Sequence, residues 1–99
     1  GDPYILNAVE ENPKDEILVE VYPNPFKDQI EINVNIKAKS HLILCLYSIT
    51  GEVLLKIEDS FLQEGNYTYK PDISGLAKGV YILKYSSGEN IGYKKLIRN

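Results

Sequence analysis

The sequence predicts an all-β protein, an immunoglobulin-like or fibronectin-III-like antiparallel β-sandwich of about seven strands. Three observations carry this. Apolar residues recur with period two, and no segment repeats at helical spacing. Turn-forming residues break the chain at intervals of roughly ten residues. The length of 99 residues, 43% hydrophobic and 25% charged, fits one globular domain with one modest core.

The elements follow in chain order. Residues 1–20 hold Asp2, Glu10, Glu11, Asp15, Glu16 and Glu20 against Lys14, a net −5 in a chain whose net charge is −3. Residues 1–17 are therefore expected to form an acidic linker or peripheral segment, and residues 18–99 the domain. Next comes Val21-Tyr22-Pro23-Asn24-Pro25-Phe26. Proline lacks an N–H and fixes φ, so the pair stops ladder pairing and swings the chain into the next strand. Ile30, Ile32, Val34 and Ile36 alternate with Glu31, Asn33, Asn35 and Lys37, which is a strand with one buried face. Residues 42–47 are a continuous apolar run, expected of a central strand.

Thr50-Gly51 marks a hairpin turn, and residues 53–57 return from it. Asp59-Ser60 and Glu64-Gly65-Asn66 are expected to punctuate the following connection. Residues 67–73 read as a strand whose Pro71 marks an edge or an end. Residues 74–79 form a compact corner, 80–85 a strand, 86–90 a hairpin loop and 91–98 the last strand. At the corner, Leu76, Gly79 and Tyr81 have the spacing of a tyrosine corner, with Gly79 free to adopt positive φ. An ordinary core tyrosine is the alternative.

The residue inventory gives little for chemistry. Cys45 is the single cysteine, which excludes an internal disulfide and a cysteine zinc site, and it reads as a small buried hydrophobe. His41 and Cys45 share a strand face about 13 Å apart, beyond hydrogen-bond reach. Asp28, Glu31, Glu58, Asp59, Asp72 and Glu89 are scattered over separate turns and suggest no metal site. No nucleophile elbow or phosphate-cradling glycine loop is present. The expectation is a chain with no catalytic residue, no cofactor and no metal. The negative net charge offers no general surface for nucleic acid, and no apolar run approaches the ~20 residues of a membrane-spanning helix. Among the eight tyrosines, Tyr67 with Tyr69 and Tyr81 with Tyr85 share faces. Such stripes stack on sugars or pack half-buried in a sandwich, and the second is expected.

Three features in order go further. Tyr22-Pro23-Asn24-Pro25 precedes the first alternating strand. Residues 72–81 carry Asp72, Leu76, Gly79 and Tyr81. The chain closes on Lys94-Lys95-Leu96-Ile97-Arg98-Asn99. With Leu46-Tyr47-Ser48 and Gly51 between them, these resemble the type A C-terminal sorting domains of cargo exported by the type IX (Por) secretion system of Bacteroidetes. The resemblance covers residues 18–99. Pro71 departs from the pattern, which has an apolar strand residue there, and Asn99 follows the basic end.

The resemblance implies an address rather than a catalyst. The cargo domain of the same precursor reaches the periplasm by a signal peptide that residues 1–16 do not supply. The outer-membrane translocon and its shuttle and sortase components then act on the sorting domain, without its inserting into the membrane. Removal by a sortase-like surface protease follows, with attachment of cargo to lipopolysaccharide in some cases. The cargo ends at the cell surface or secreted. Tyr22, Pro23, Asn24, Pro25, Gly51, Asp72, Leu76, Gly79 and Tyr81 carry the family pattern, and Lys94, Lys95, Leu96, Ile97 and Arg98 are the expected recognition end. Strand addition at that end is one mode of reading it; protection of an edge against aggregation is the other role for its lysines. The removal site is expected within residues 1–18. The rival reading is a fibronectin-III-like spacer or carbohydrate-binding module of an extracellular enzyme.

Overall fold

The structure, a computed structural model, describes residues 17–99. Its strands are β1 (Ile17–Tyr22), β2 (Glu31–Ile36), β3 (Ser40–Ser48), β4 (Val53–Leu62), β5 (Gly65–Tyr69), β6 (Gly79–Ser87) and β7 (Asn90–Arg98). Among the described residues these form two antiparallel sheets, ordered β1-β2-β5 and β4-β3-β6-β7. The expected acidic segment lies outside the described residues up to position 16, and most of the stretch expected to hold the removal site lies there too. Ile17 is the buried first residue of β1.

Period two decides which side chains meet between the sheets. Ile32, Val34 and Ile36 of β2 face Leu42, Leu44 and Leu46 of β3, with Leu83 of β6 and Leu96 of β7 beside them, and all are buried. Each such aliphatic side chain contributes about 1.5–3 kcal/mol by leaving water. The same-face tyrosines point inward. Tyr67, Tyr69 and Tyr85 pack against this core and Tyr81 lies within it. Neither pair is an outward stripe for a sugar.

Two sequence expectations need correction. Asp59 and Ser60 do not break the chain; β4 runs through them to Leu62. Their polar side chains find partners without a turn. Asp59 accepts from Lys56 at 2.9 Å and meets His41 Nε2 at 2.5 Å, while His41 stacks on Phe61 at 4.6 Å between ring centroids. Ser60 donates to Glu58 at 2.8 Å. Likewise Gly65 and Asn66 open β5 rather than precede it, and that strand stops at Tyr69. The early stop leaves Pro71 outside the ladder, where its missing N–H costs nothing.

Tyr81 makes the tyrosine corner. Its hydroxyl donates to the Ala77 carbonyl, and Gly79 takes a φ of 147° at the mouth of β6. Tyr81→Phe removes that bond while keeping the ring, so a loss of about 1 kcal/mol is expected. Urea unfolding checks this: the midpoint falls and the slope is unchanged.

Candidate functional site

At one end of the sandwich three segments distant in sequence meet. The first is the turn after β1. Pro23 and Pro25 have no N–H, so this stretch cannot pair with β7 as an ordinary strand would. Asn24 replaces the missing groups, because a side-chain amide offers the same donor and acceptor as a peptide unit. Its Nδ2 donates to the Lys95 carbonyl at 2.9 Å, and its Oδ1 accepts from the Ile97 amide at 3.1 Å. One residue beyond Pro25 the backbone itself takes over. The Phe26 amide donates to the Ile97 carbonyl and the Asn99 amide to the Phe26 carbonyl, both at 2.8 Å. This is a single parallel bridge between Phe26 and Arg98, and the Phe26 ring is driven into the core at 1% exposure. Both prolines follow cis peptide bonds.

The second segment is the corner, and Arg98 holds it. Its Nη1 donates to the carbonyls of Ile73 and Leu76, each at 2.7 Å. The corner is shaped by Asp72, whose Oδ1 accepts from the Ser74 amide at 3.0 Å, and by the Leu76 amide donating to the Ile73 carbonyl. Ile73 is buried beneath it and Leu76 packs against the core. The third segment is the end of β7, which supplies both sets of partners. An open cleft of about 700 Å³ lies beside this joint, with Lys27, Lys78 and Arg98 among its lining residues.

The terminal residues are not equivalent. Leu96 is fully buried and Ile97 half-buried. Arg98 is spent on the corner. Lys94 is half-buried on the inward side, opposite Leu83, whereas Lys95 is exposed on the outward side, opposite Ile82. Of the three basic residues, only Lys95 is exposed rather than half-buried.

The remaining pattern residues lie away from the joint. Gly51 adopts a φ of 96° in the β3–β4 turn, its amide donating to the Ser48 carbonyl at 3.0 Å. Tyr22 turns to the outside of the three-stranded sheet, where its hydroxyl donates to Glu31 at 2.7 Å and accepts from Asn33 at 2.5 Å. Sequence reasoning missed Phe26 as an anchor and the pairing of Asn24 and Arg98 with backbone. The available signal was an asparagine between two residues that cannot donate.

Several carboxyls sit below their usual range. Asp72 is held down by the Ser74 amide and Glu31 by the Tyr22 hydroxyl; Asp59 is lowered by Lys56 and then His41. Burial pushes Glu58 up, but hydrogen bonds from Ser60, Tyr69 and the Asp59 amide outweigh it. A lowered folded pKa contributes stability above the unfolded value, and that stability is lost as pH falls through the folded value. Constant urea midpoints near neutrality and a decline below about pH 4 are therefore expected. Asp72→Asn should flatten part of that decline.

Residues 20–99 match the family described as secretion system C-terminal sorting domain. Among curated proteins, none matches the chain.

Proposed function

Because the chain belongs to the family of secretion system C-terminal sorting domains of the type IX system, we propose that it acts as a folded export address at the end of a cargo precursor. It directs that cargo from the periplasm across the bacterial outer membrane and plays no catalytic part itself. The translocon, shuttle and sortase components are its partners. A surface protease then removes it by a cut within residues 1–18, and the freed cargo is released or joined to lipopolysaccharide.

The observation that supports this reading is the joint. Asn24, the 72–81 corner and the end of β7 belong to the three motifs that carry the resemblance, and together with Phe26 they are tied to one another by six hydrogen bonds. Machinery that accepts many cargoes needs a portable module whose presence is reported by its fold. A joint of this kind exists only when the N-terminal turn and the terminal strand of the same domain have both folded.

Mass spectrometry of the exported cargo tests the removal step. A mature C-terminus at or before residue 18 is expected. A C-terminus inside the sandwich, beyond about residue 30, would contradict it. A spacer or carbohydrate-binding module would instead remain attached and leave export indifferent to changes in β7.

A further inference from the structure

The two outer faces of the sandwich differ in chemistry. On the three-stranded sheet the polar side chains satisfy one another. Asn33 donates to Tyr22 at 2.5 Å, Thr68 to Asn33 at 2.7 Å and Asn35 to Asn66 at 2.5 Å. The four-stranded sheet is different. Leu46, Leu83 and Leu96 are buried, so their neighbours along each strand point outward. Strand register then sets two outward rows: Val53, Tyr47, Ile82 and Lys95, and next to it Lys56, Cys45, Lys84 and Tyr93. Val53 and Tyr93 are 57% and 63% exposed. Lys56 is paired with Asp59. Among the described residues Lys84 and Lys95 have no carboxylate partner.

The edge of β7 adjoins these rows. Its outward backbone groups belong to alternate residues, and the Lys95 carbonyl, both Ile97 groups and the Asn99 amide are taken by Asn24 and Phe26. The same alternation puts the amides and carbonyls of Ile91 and Tyr93 and the amide of Lys95 on that edge. Among the described residues no strand covers them. Gly92 leaves room for the Tyr85 ring: a side chain there would collide with it, since ring and hydroxyl atoms lie 2.3–2.6 Å from the Cβ position.

We infer that the open half of the β7 edge and the Lys84–Lys95–Tyr93 face beside it form one docking surface, occupied by an extended acidic segment of a partner protein. Backbone groups that no described strand covers select an extended chain, since strand addition supplies its main-chain bonds. Lys84 and Lys95, without a carboxylate partner among the described residues, select carboxylates. Apolar and tyrosine side chains interleaved with them select apolar residues between the acids. A depression of about 280 Å³ bordered by Tyr47, Ile82, Lys84 and Tyr93 seats one of these. An anionic bilayer would leave the edge amides unpaired, and a second copy would set lysines of both chains on one face with no acid between them. The inference rests on the sorting reading only in taking the partner to belong to the export machinery.

The test has two arms. In the first, the full chain is titrated by NMR with a short synthetic peptide alternating glutamate and valine. The matching lysine–valine peptide and phosphatidylglycerol vesicles serve as the alternatives. The glutamate peptide is expected to shift the Ile91, Tyr93, Lys95 and Lys84 amides and to slow exchange at Ile91 and Tyr93. K84E/K95E should weaken it about tenfold, while K37E/K39E should not. No binding, equal binding of the lysine peptide, preference for vesicles or self-association through β7 would each overturn the surface. In the second arm, the same two variants are placed in an exported precursor. K84E/K95E should cut surface display about tenfold with the thermal midpoint of the purified chain unchanged. Normal display of K84E/K95E overturns the docking role and leaves the sorting reading standing. Failure of the unaltered domain to export defeats the sorting reading, and the peptide arm still decides the surface.

Discussion

Phe26→Ala is expected to cost about 3–5 kcal/mol of folding free energy, the usual range for truncating a fully buried phenylalanine. The ring is 1% exposed. It is also the residue whose backbone closes the bridge to β7, so the cavity opens beneath two hydrogen bonds that tie down the terminal strand. The effect should therefore be uneven. Amides at the end of β7 lose exchange protection first, and the β3–β6 pairing at the centre of the four-stranded sheet persists longest. Urea unfolding gives the total, and hydrogen exchange gives the distribution. A change below about 1 kcal/mol, or uniform loss of protection, would show that the joint does not hold the strand.

Removing residues 94–99 should do more. It deletes Leu96 from the core, strips Asn24 and Phe26 of their partners and leaves the Ile73 and Leu76 carbonyls without Arg98. A domain of this size has about 5–15 kcal/mol in total, so most or all of the cooperative fold is expected to go. Circular dichroism should show no thermal transition. A precursor so truncated should remain in the periplasm, but that result by itself confuses a lost tag with a lost fold. Arg98→Ala and Lys95→Ala separate them. The first takes Arg98 from the Leu76 carbonyl and leaves the Ile73 carbonyl only the Leu76 amide, and should cost about 1–3 kcal/mol. The second changes an exposed side chain, should leave the melting curve in place, and so reports on recognition alone.

Much of this was legible in the sequence because period-two alternation is a direct consequence of a two-layer fold. Ile32, Val34 and Ile36 could be placed in the core from spacing, and Tyr81 at a corner from Gly79 two residues before it. The misplaced boundaries have a common cause. Asp59, Ser60, Gly65 and Asn66 are turn formers by local preference, but ladder pairing overrides it: β4 pairs with β3 while Lys56, His41 and Glu58 satisfy Asp59 and Ser60, and β5 pairs with β2, where Asn66 accepts from Asn35. The candidate site was legible only as three separate motifs. That Asn24 binds residues 71 and 73 positions away is a fact of topology. Nor could spacing show that Lys94, Lys95 and Arg98, within five residues of one another, have three different environments.

The most direct measurement is surface display of a reporter carrying a signal peptide at its start and residues 1–99 at its end. It is compared in a cell with an intact type IX system and in one lacking the outer-membrane translocon. Protease accessibility of the reporter on whole cells is the readout. The reporter should be accessible only in the intact cell and periplasmic in the other. Periplasmic retention in both cells, or exposure in both, would contradict the assignment of this domain as an export address.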